Sequence, residues 1–265
     1  MTTADTPSET SRTQQNSGTA LLIYGIVPAE AKPKAEGIGQ QPAPVQTVTR
    51  GPIAALVSEI PVDQPLDRAE DLQAFSRVVD GLVAQMPVIP VRFGAALPDA
   101  EQVESGLLEP NADRFRAALD ELQGLAEYLV KGQYVEESVL REILQENREA
   151  AALAEQVREL PPELGRDDRI TLGETVNAAL EAKREADGEV LVQTLRQLTE
   201  HLALRPPTHE EEVADIAVLV PLEQEQELQR LVNGLGEQWA GRVDMRVVGP
   251  LAAWDFVAAE APEPS

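Results

Sequence analysis

Histidine and cysteine are the residue types that most often bind metal ions or act as nucleophiles and bases in proteins. The chain has two histidines, His201 and His209, and no cysteine. His209 precedes the glutamates Glu210–Glu212, and an imidazole beside carboxylates is a side-chain set that can bind a metal ion. The spacing fits no metal-ligand motif, however, and Pro206-Pro207 indicates a loop, so a solvated acidic turn explains these residues better than a metal site. Without cysteine, disulfides, thiolate zinc sites and cysteine nucleophiles are excluded.

Motifs that bind phosphate groups or carry out hydrolysis are also missing. Gly37-Ile38-Gly39 begins like a dinucleotide-binding loop but continues with Gln-Gln-Pro, which lacks the rest of that fingerprint. No G-x-S-x-G and no H-E-x-x-H sequence occurs. We therefore predict no enzymatic activity, no cofactor and no metal site.

Two cations lie in segments that otherwise have the composition of β-strands. Arg92 belongs to Val88–Gly94, in which Pro90 cannot donate a ladder hydrogen bond and so indicates an edge strand or a bulge. Lys131 lies in the apolar stretch Leu129–Gly132. Each cation could contact a partner or an anion, but an outward charge on a half-exposed sheet explains both more simply.

Aromatic residues make up only 3% of the chain, and two of them, Trp254 and Phe256, lie close together near its C-terminus. Aromatic side chains are enriched at protein interfaces, so both are candidate partner contacts, together with Arg92 and Lys131. Packing of Trp254 against a sheet is an equally good interpretation. An edge strand at Val88–Phe93 could also pair with another chain.

Acidic residues outnumber basic residues, 46 against 22, which gives a formal charge of −24 at pH 7. A field of this sign opposes binding to nucleic acid and to anionic lipid, whereas it favours solubility and could steer a basic partner. No apolar run reaches the length of a membrane span, and no secretory signal is recognisable. These features and the lack of cysteine predict a cytoplasmic location.

The patterns of strands and helices divide the chain into two domains between irregular tails. Residues 1–19 are predicted to be a disordered tail, and residues 258–265 a frayed one. The N-terminal domain, 20–124, is predicted to be α+β with a mostly antiparallel sheet. Capping-box sequences at Asp67 and Asp99 predict the starts of two of its helices.

The C-terminal domain, 125–257, is predicted to be a modified ferredoxin-like fold, because strand, helix pair, strand, helix and strand follow one another. Residues 136–205 form the enlarged first crossover, a long helical hairpin. Its first helix is expected over Glu136–Leu160. Its second helix is expected to begin at another capping box, at Thr171, and to run towards Arg205.

Several segments, taken in their order along the chain, resemble the gas vesicle protein F/L family. They are Leu22–Val27, Ile53–Glu59, Val88–Gly94, Leu122–Lys131 and Gly249-Pro250-Leu251. The resemblance covers residues 20–257. Two departures occur: Gln73-Ala74-Phe75 stands where the family often has a His-Glu pair, and Ala252–Phe256 replaces the prolines and aromatic residues usual after the Gly-Pro turn.

The resemblance implies a two-domain α+β protein whose second domain is a modified ferredoxin-like fold. It implies an accessory or minor structural protein required for the formation of gas vesicles, the hollow protein-walled flotation organelles of bacteria and archaea. The expected partners are the major shell protein and other assembly proteins, the expected location is the gas vesicle, and no catalytic residues are implied. The alternative is a ligand-binding or enzymatic ferredoxin-like protein, which requires Tyr24, Arg92 and Lys131 to converge on a pocket.

Overall fold

The computed structural model describes most of the chain, namely residues 18–39, 42–63, 66–161, 165–209 and 211–257. Within these residues the chain folds into two antiparallel sheets with helices packed on them, which confirms the predicted α+β class. Thr19 already belongs to the first strand, one residue inside the tail predicted for 1–19. The remaining tail predictions fall on residues 1–17 and 258–265, which lie outside the described part of the chain.

Five strands of the N-terminal half form the first sheet, and they are β1 (Thr19–Pro28), β2 (Gln46–Arg50), β3 (Ile53–Pro61), β4 (Ile89–Pro90) and β5 (Ala96–Leu97). Their order is β2-β3-β1-β4, and β5 also pairs with β1. β2 and β3 form a hairpin through Gly51, whose φ of 58° lies in the left-handed region that glycine adopts without strain. Because β1 is central, its side chains are buried on both faces.

The strand predicted over Val88–Phe93 is wrong at its C-terminal end, because only β4 pairs as a strand. Val91 still donates a backbone hydrogen bond to Tyr24 O on β1, at 3.1 Å. Pro90 has no amide hydrogen to extend the ladder, and the chain turns at Gly94, where φ is 88°. The first four side chains of the segment are buried, so it faces protein on both sides.

Three α-helices and two irregular turns complete this half, and they are α1 (Ala69–Val83), α2 (Ala100–Gln102), α3 (Ala112–Glu121), a π-helical turn (Val103–Leu108) and a 3-10 turn (Glu109–Asn111). Asp99 caps α2 as predicted, because its carboxylate accepts a hydrogen bond from Gln102 N at 2.9 Å. The cap predicted at Asp67 is wrong. The N-cap residue of α1 is Arg68, which makes no capping hydrogen bond and instead pairs with Asp71 at 3.3 Å.

Four strands of the C-terminal half form the second sheet, and they are β6 (Leu125–Tyr134), β7 (Leu202–Arg205), β8 (Glu212–Pro221) and β9 (Val243–Leu251). Their order is β7-β8-β6-β9, and every pair is antiparallel. β8 is buried over most of its length, as its apolar side chains on both faces predict for a central strand. The edges of this sheet are β7 and β9.

Four α-helices accompany the second sheet, and they are α4 (Glu136–Glu146), α5 (Arg148–Glu159), α6 (Arg166–Leu195) and α7 (Glu225–Gln238). The single helix predicted over Glu136–Leu160 is wrong, because Asn147 interrupts it. The Asn147 side-chain oxygen caps α5 by accepting hydrogen bonds from Glu149 N and Ala150 N, at 3.0 and 3.1 Å. None of the helices in the described ranges is long and apolar enough to cross a membrane.

α6 differs from the predicted helix at both ends. It begins at Arg166, and Thr171 lies inside it, where the Thr171 hydroxyl donates to Asp167 O at 2.9 Å instead of capping a helix start. It ends at Leu195, so the helical insertion predicted for 136–205 is too long. The last residues of the predicted insertion form β7, because pairing with β8 overrides the helical pattern.

One cluster of buried side chains joins the two halves of the chain. Tyr24 and Phe75 from the first half belong to it, as do Tyr128 and Val218 from the second sheet. The rings of Tyr24 and Phe75 stack with their centroids 5.0 Å apart, and Phe75 also lies 6.2 Å from the ring of Trp254. Burial of apolar surface between the halves therefore positions the segment that follows β9.

Candidate partner-binding surface

Trp254 lies in the segment after β9 and is bound to the first half of the chain. The Asp80 carboxylate on α1 accepts hydrogen bonds from Trp254 Nε1 and from the amide of Ala252, both at 2.9 Å. Burial raises the pKa of Asp80, and these two hydrogen bonds oppose the rise. Since Trp254 is half-buried, part of its ring packs inside the chain and part faces outward.

The next two residues attach the same segment to other parts of the molecule. The amide of Asp255 donates to Glu127 Oε2 on β6, at 2.9 Å. The carboxylate of Asp255 pairs with Arg205, the last residue of β7, at 3.1 Å. Phe256 packs, half-buried, against a second apolar cluster built mainly from the first sheet and α3. Both aromatic side chains therefore have packing partners within the chain.

Glu127 holds this segment through a carboxyl group that is almost fully buried, with the residue 1% exposed. Burial is the main cause that raises its pKa to about 8, the amide of Asp255 opposes the rise, and the Asp255 carboxylate adds to it. Its other oxygen, Oε1, has no hydrogen-bond partner among the described residues. A protonated carboxyl group at this position can donate a hydrogen bond at neutral pH, which an ordinary glutamate cannot do.

Lys131 is engaged in ion pairs. Its Nζ lies 2.6 Å from Asp215 Oδ2 and 4.0 Å from Glu212 Oε1. Arg205 Nε also approaches Asp215, at 3.4 Å, so alternating charges lead from Lys131 through Asp215 and Arg205 to Asp255. An incoming anion would have to compete with these carboxylates for the Lys131 ammonium group.

The histidine beside the glutamates borders the same region. A groove of about 180 Å³ beside Lys131 is lined in part by His209, Glu212 and Arg246. Glu210 lies outside the described residues, and within them no group of three His, Cys, Asp or Glu side chains is placed to hold a metal ion. The geometry of the described side chains offers no metal centre to which the sequence motif could contribute.

Arg92 is exposed on the turn after β4, and its side chain has no ion pair with a described residue. Its neighbour Phe93 packs edge-on against Phe75, with ring centroids 5.2 Å apart, and Phe75 in turn contacts Trp254. Arg92 is thus connected to Trp254 only through two intervening rings. Of the predicted contact residues, Arg92 is the one with a charge free to meet a partner.

Sequence reasoning missed the most exposed large aliphatic side chain of the described residues, Leu204 on β7, which is 71% exposed. It borders a largely apolar groove of about 390 Å³ between β7 and α6. The sequence pattern predicts neither of them, because it extends a helix over residues 202–205. The available signal was a short apolar stretch directly before Pro206-Pro207, which is too brief to sustain a helix.

A buried polar network, which the sequence also did not indicate, fixes the α6 side of this groove. Asp187 on α6 accepts a hydrogen bond from Tyr134 Oη at 2.6 Å. Arg242 binds the same carboxylate with two nitrogens, at 2.6 and 2.9 Å, and lies over the ring of Trp239, 5.3 Å from its centroid. Bidentate charge-assisted hydrogen bonds are strong and directional, so they pin α6 to the second sheet.

Proteins of similar sequence share one description. The model of the family described as "Gas vesicle synthesis protein GvpL/GvpF" matches residues 20–258. Gas vesicle protein F of Streptomyces sp. (strain CB03234) is 33% identical over 242 residues, which are 90% of this chain and 99% of that relative. Gas vesicle protein F of Dolichospermum flosaquae is 23% identical over 240 residues, 89% of this chain and 96% of that relative.

Solved structures with the same fold carry the same name. The crystal structure of GvpF from Anabaena sp. PCC7120 aligns with a TM-score of 0.74 at 21% identity, covering 90% of this chain and 98% of that one. GvpF from Microcystis aeruginosa aligns with a TM-score of 0.70 at 20% identity, covering 89% and 98%. At these identities the structures establish a shared fold. With the family match over nearly all of the described residues, they lead to the conclusion that this chain belongs to the GvpL/GvpF family of gas vesicle synthesis proteins.

Proposed function

We propose that this chain is an accessory or minor structural protein required for gas vesicle formation, and that it acts by contacts with the gas vesicle shell protein and other gas vesicle assembly proteins. The observation that carries the proposal is the family match over residues 20–258, supported by relatives named gas vesicle protein F. Such a protein would work in the cytoplasm, at the gas vesicle.

A role without catalysis is consistent with the chemistry of the described residues. Glu127, whose pKa is raised, lies beneath the C-terminal segment instead of opening onto a substrate pocket. Lys131 is surrounded by carboxylates. We therefore propose that the protein has no enzymatic activity and uses neither a cofactor nor a metal ion.

The alternative of a ligand-binding or enzymatic ferredoxin-like protein gains no support from its three key residues. The Tyr24 hydroxyl is buried and already bonded to Ser58 Oγ at 2.9 Å and to Ile38 N at 3.0 Å. Arg92 is exposed on a turn after the first sheet, and Lys131 belongs to the second sheet. These positions give no reason to expect one pocket that all three would line.

In the proposed architecture, 20–124 and 125–257 are two domains, and the second is a modified ferredoxin-like fold. The strand order β7-β8-β6-β9 supports this, because it is the order that a β-α-β-β-α-β chain takes in that fold. Helices α4 to α6 would then be the enlarged first crossover and α7 the second. The shared apolar cluster and the hydrogen bonds to Asp80 and Glu127 would hold the two domains together.

The four candidate contact residues fit the proposed role to different degrees. Arg92 is exposed and needs no rearrangement to meet a partner. Trp254 and Phe256 could present only their outward parts, because each packs within the chain. Lys131 would have to exchange its ion pair with Asp215 for one with the partner.

Deletion of the gene combined with direct binding measurements tests the proposal. We expect the deletion strain to form fewer or no gas vesicles by electron microscopy, and the wild-type gene to restore them. We also expect at least one purified product of the gas vesicle gene cluster to bind the purified chain. Intact vesicles at normal number after deletion, together with no binding partner in the cluster, would contradict it.

A further inference from the structure

We propose that β7 is an open sheet edge to which an extended segment of a gas vesicle shell or assembly protein adds as a further strand, with an apolar side chain in the groove between β7 and α6. The inference rests on the proposed function and names the surface and the kind of segment involved. The partner segment would alternate aliphatic residues with at least one lysine or arginine.

The backbone of β7 has hydrogen-bonding groups that point away from its one neighbour. Leu219 N donates to His201 O at 3.1 Å, and the register then pairs Ala203 with Ala217. In an antiparallel ladder the bonded positions alternate, so Ala203 faces β8 while Leu202 and Leu204 direct their N–H and C=O groups to the open side. Within the described residues, no other element forms backbone hydrogen bonds with these two positions.

The side chains beside this edge form an uncovered apolar surface. Leu204 on β7 is 71% exposed. The groove of about 390 Å³ between β7 and α6 is also lined by Val192, Pro207 and Ile216. Because the Asp187 network holds α6 in place, the groove is preformed and an incoming apolar side chain would meet little ordering cost.

Charge selects the kind of occupant. Glu185 and Glu189 on α6 line the groove and are exposed. Two cations also line the groove, and both are engaged within the chain: Arg184 Nε donates to Glu212 O at 2.9 Å, and Arg205 at the end of β7 is paired with Asp215 and Asp255. The rim therefore attracts a basic segment, whereas a second copy of this chain, with its formal charge of −24, would bring the same acids into opposition.

The test measures binding of each purified product of the gas vesicle gene cluster to the full-length chain and to three variants. Leu204→Pro removes the outward N–H and is compatible with an edge position, and Leu204→Lys places a charge in the groove mouth. Val62→Lys is the matched control, because Val62 is 64% exposed and does not border the groove. Circular dichroism and melting curves check that each variant is folded.

We expect both Leu204 variants to lower the affinity for the bound product about tenfold or more, and Val62→Lys to leave this affinity unchanged. Hydrogen exchange should show the Leu202 and Leu204 amides protected only in the complex. A product that binds all variants equally, with no new protection at these amides, overturns the edge proposal and leaves the proposed function standing.

Two further outcomes would also overturn the proposal, and the measurements distinguish both from the outcome above. A dimer of the chain in sedimentation experiments that Leu204→Pro dissociates would assign the edge to a second copy. If no product of the gene cluster binds the wild-type chain, both the edge proposal and the proposed function are contradicted.

Discussion

The two sheets end in edge strands that differ in what covers them. β4 closes one side of the first sheet, and the side chains of Ile89 and Val91 lie in an apolar cluster with residues of α3 and the π-helical turn. β7 closes one side of the second sheet, where Leu204 is left 71% exposed beside a groove. A proline such as Pro90 can mark an edge in a sequence, but the packing of neighbouring elements decides whether that edge can accept another strand.

The largest expected effect tests that difference in cover through stability. Ile89→Ala should lower the free energy of unfolding by about 3 kcal/mol, because it leaves a cavity in a buried cluster. Leu204→Ala should change it by less than about 0.5 kcal/mol, since little of that side chain is buried. Urea denaturation of the two variants beside the wild type measures both values. Equal losses would show that β7 is covered as fully as β4.

The second prediction concerns Glu127, which ties the segment after β9 to β6 and so supports the charges beside β7. Its pKa is about 8 in the folded chain against an ordinary value of 4.5, so between these pH values the folded state binds more protons than the unfolded state. Stability therefore falls as the pH rises through this window, and the loss is complete above pH 8. We expect a loss of about 2 kcal/mol between pH 6 and pH 8.

Glu127→Gln provides the control for this pH dependence. The amide side chain keeps nearly the same shape and does not titrate, so most of the loss between pH 6 and pH 8 should disappear. Glu185→Gln, at an exposed position on α6, should retain the wild-type dependence. A Glu127→Gln variant with the same pH profile as the wild type would show that other groups cause the change in stability.

The sequence predicts the α+β class, because alternating and continuous apolar runs indicate which faces of a sheet are buried. It failed where a few atoms outweigh a longer pattern. Asn147 divides the predicted helix because its side chain accepts hydrogen bonds from two amides. Residues 202–205 form a strand instead of a helix because they pair with β8. Such choices depend on tertiary contacts that no local window contains.

A helix cap gives the third prediction, of about 1 kcal/mol. Asp99→Ala should lose roughly this much stability, because the Asp99 carboxylate accepts a hydrogen bond from Gln102 N at the start of α2. Thr171 has the same sequence signature but lies inside α6, so Thr171→Ala should change stability by less than about 0.5 kcal/mol. Thermal unfolding of the pair compares them. A larger loss of stability for Thr171→Ala than for Asp99→Ala would indicate that Thr171 caps a helix start, as the sequence predicts.

Less of the candidate surface than of the fold could be predicted from the sequence. Residue type alone indicates the four candidate contacts, Arg92, Lys131, Trp254 and Phe256. In the structure, however, Lys131 is ion-paired and both aromatic side chains pack within the chain. The groove beside β7 is lined by aliphatic and charged residues of ordinary types, and the exposure of Leu204 at its border is what distinguishes it. Exposure is a property of the assembled chain, so residue type alone could not reveal this surface.

The smallest expected effect is on the salt dependence of binding, and it distinguishes a partner beside β7 from one at the turn after β4. If a basic partner segment lies beside β7, its affinity should fall about threefold between low and high salt, because the exposed acids Glu185 and Glu189 attract it. A double variant, Glu185→Gln with Glu189→Gln, should lose most of this salt dependence, and Arg92→Gln should retain it. Measurement of the dissociation constant at several salt concentrations makes the comparison. If Arg92→Gln alone removes the salt dependence, the partner contacts the turn after β4 and not β7.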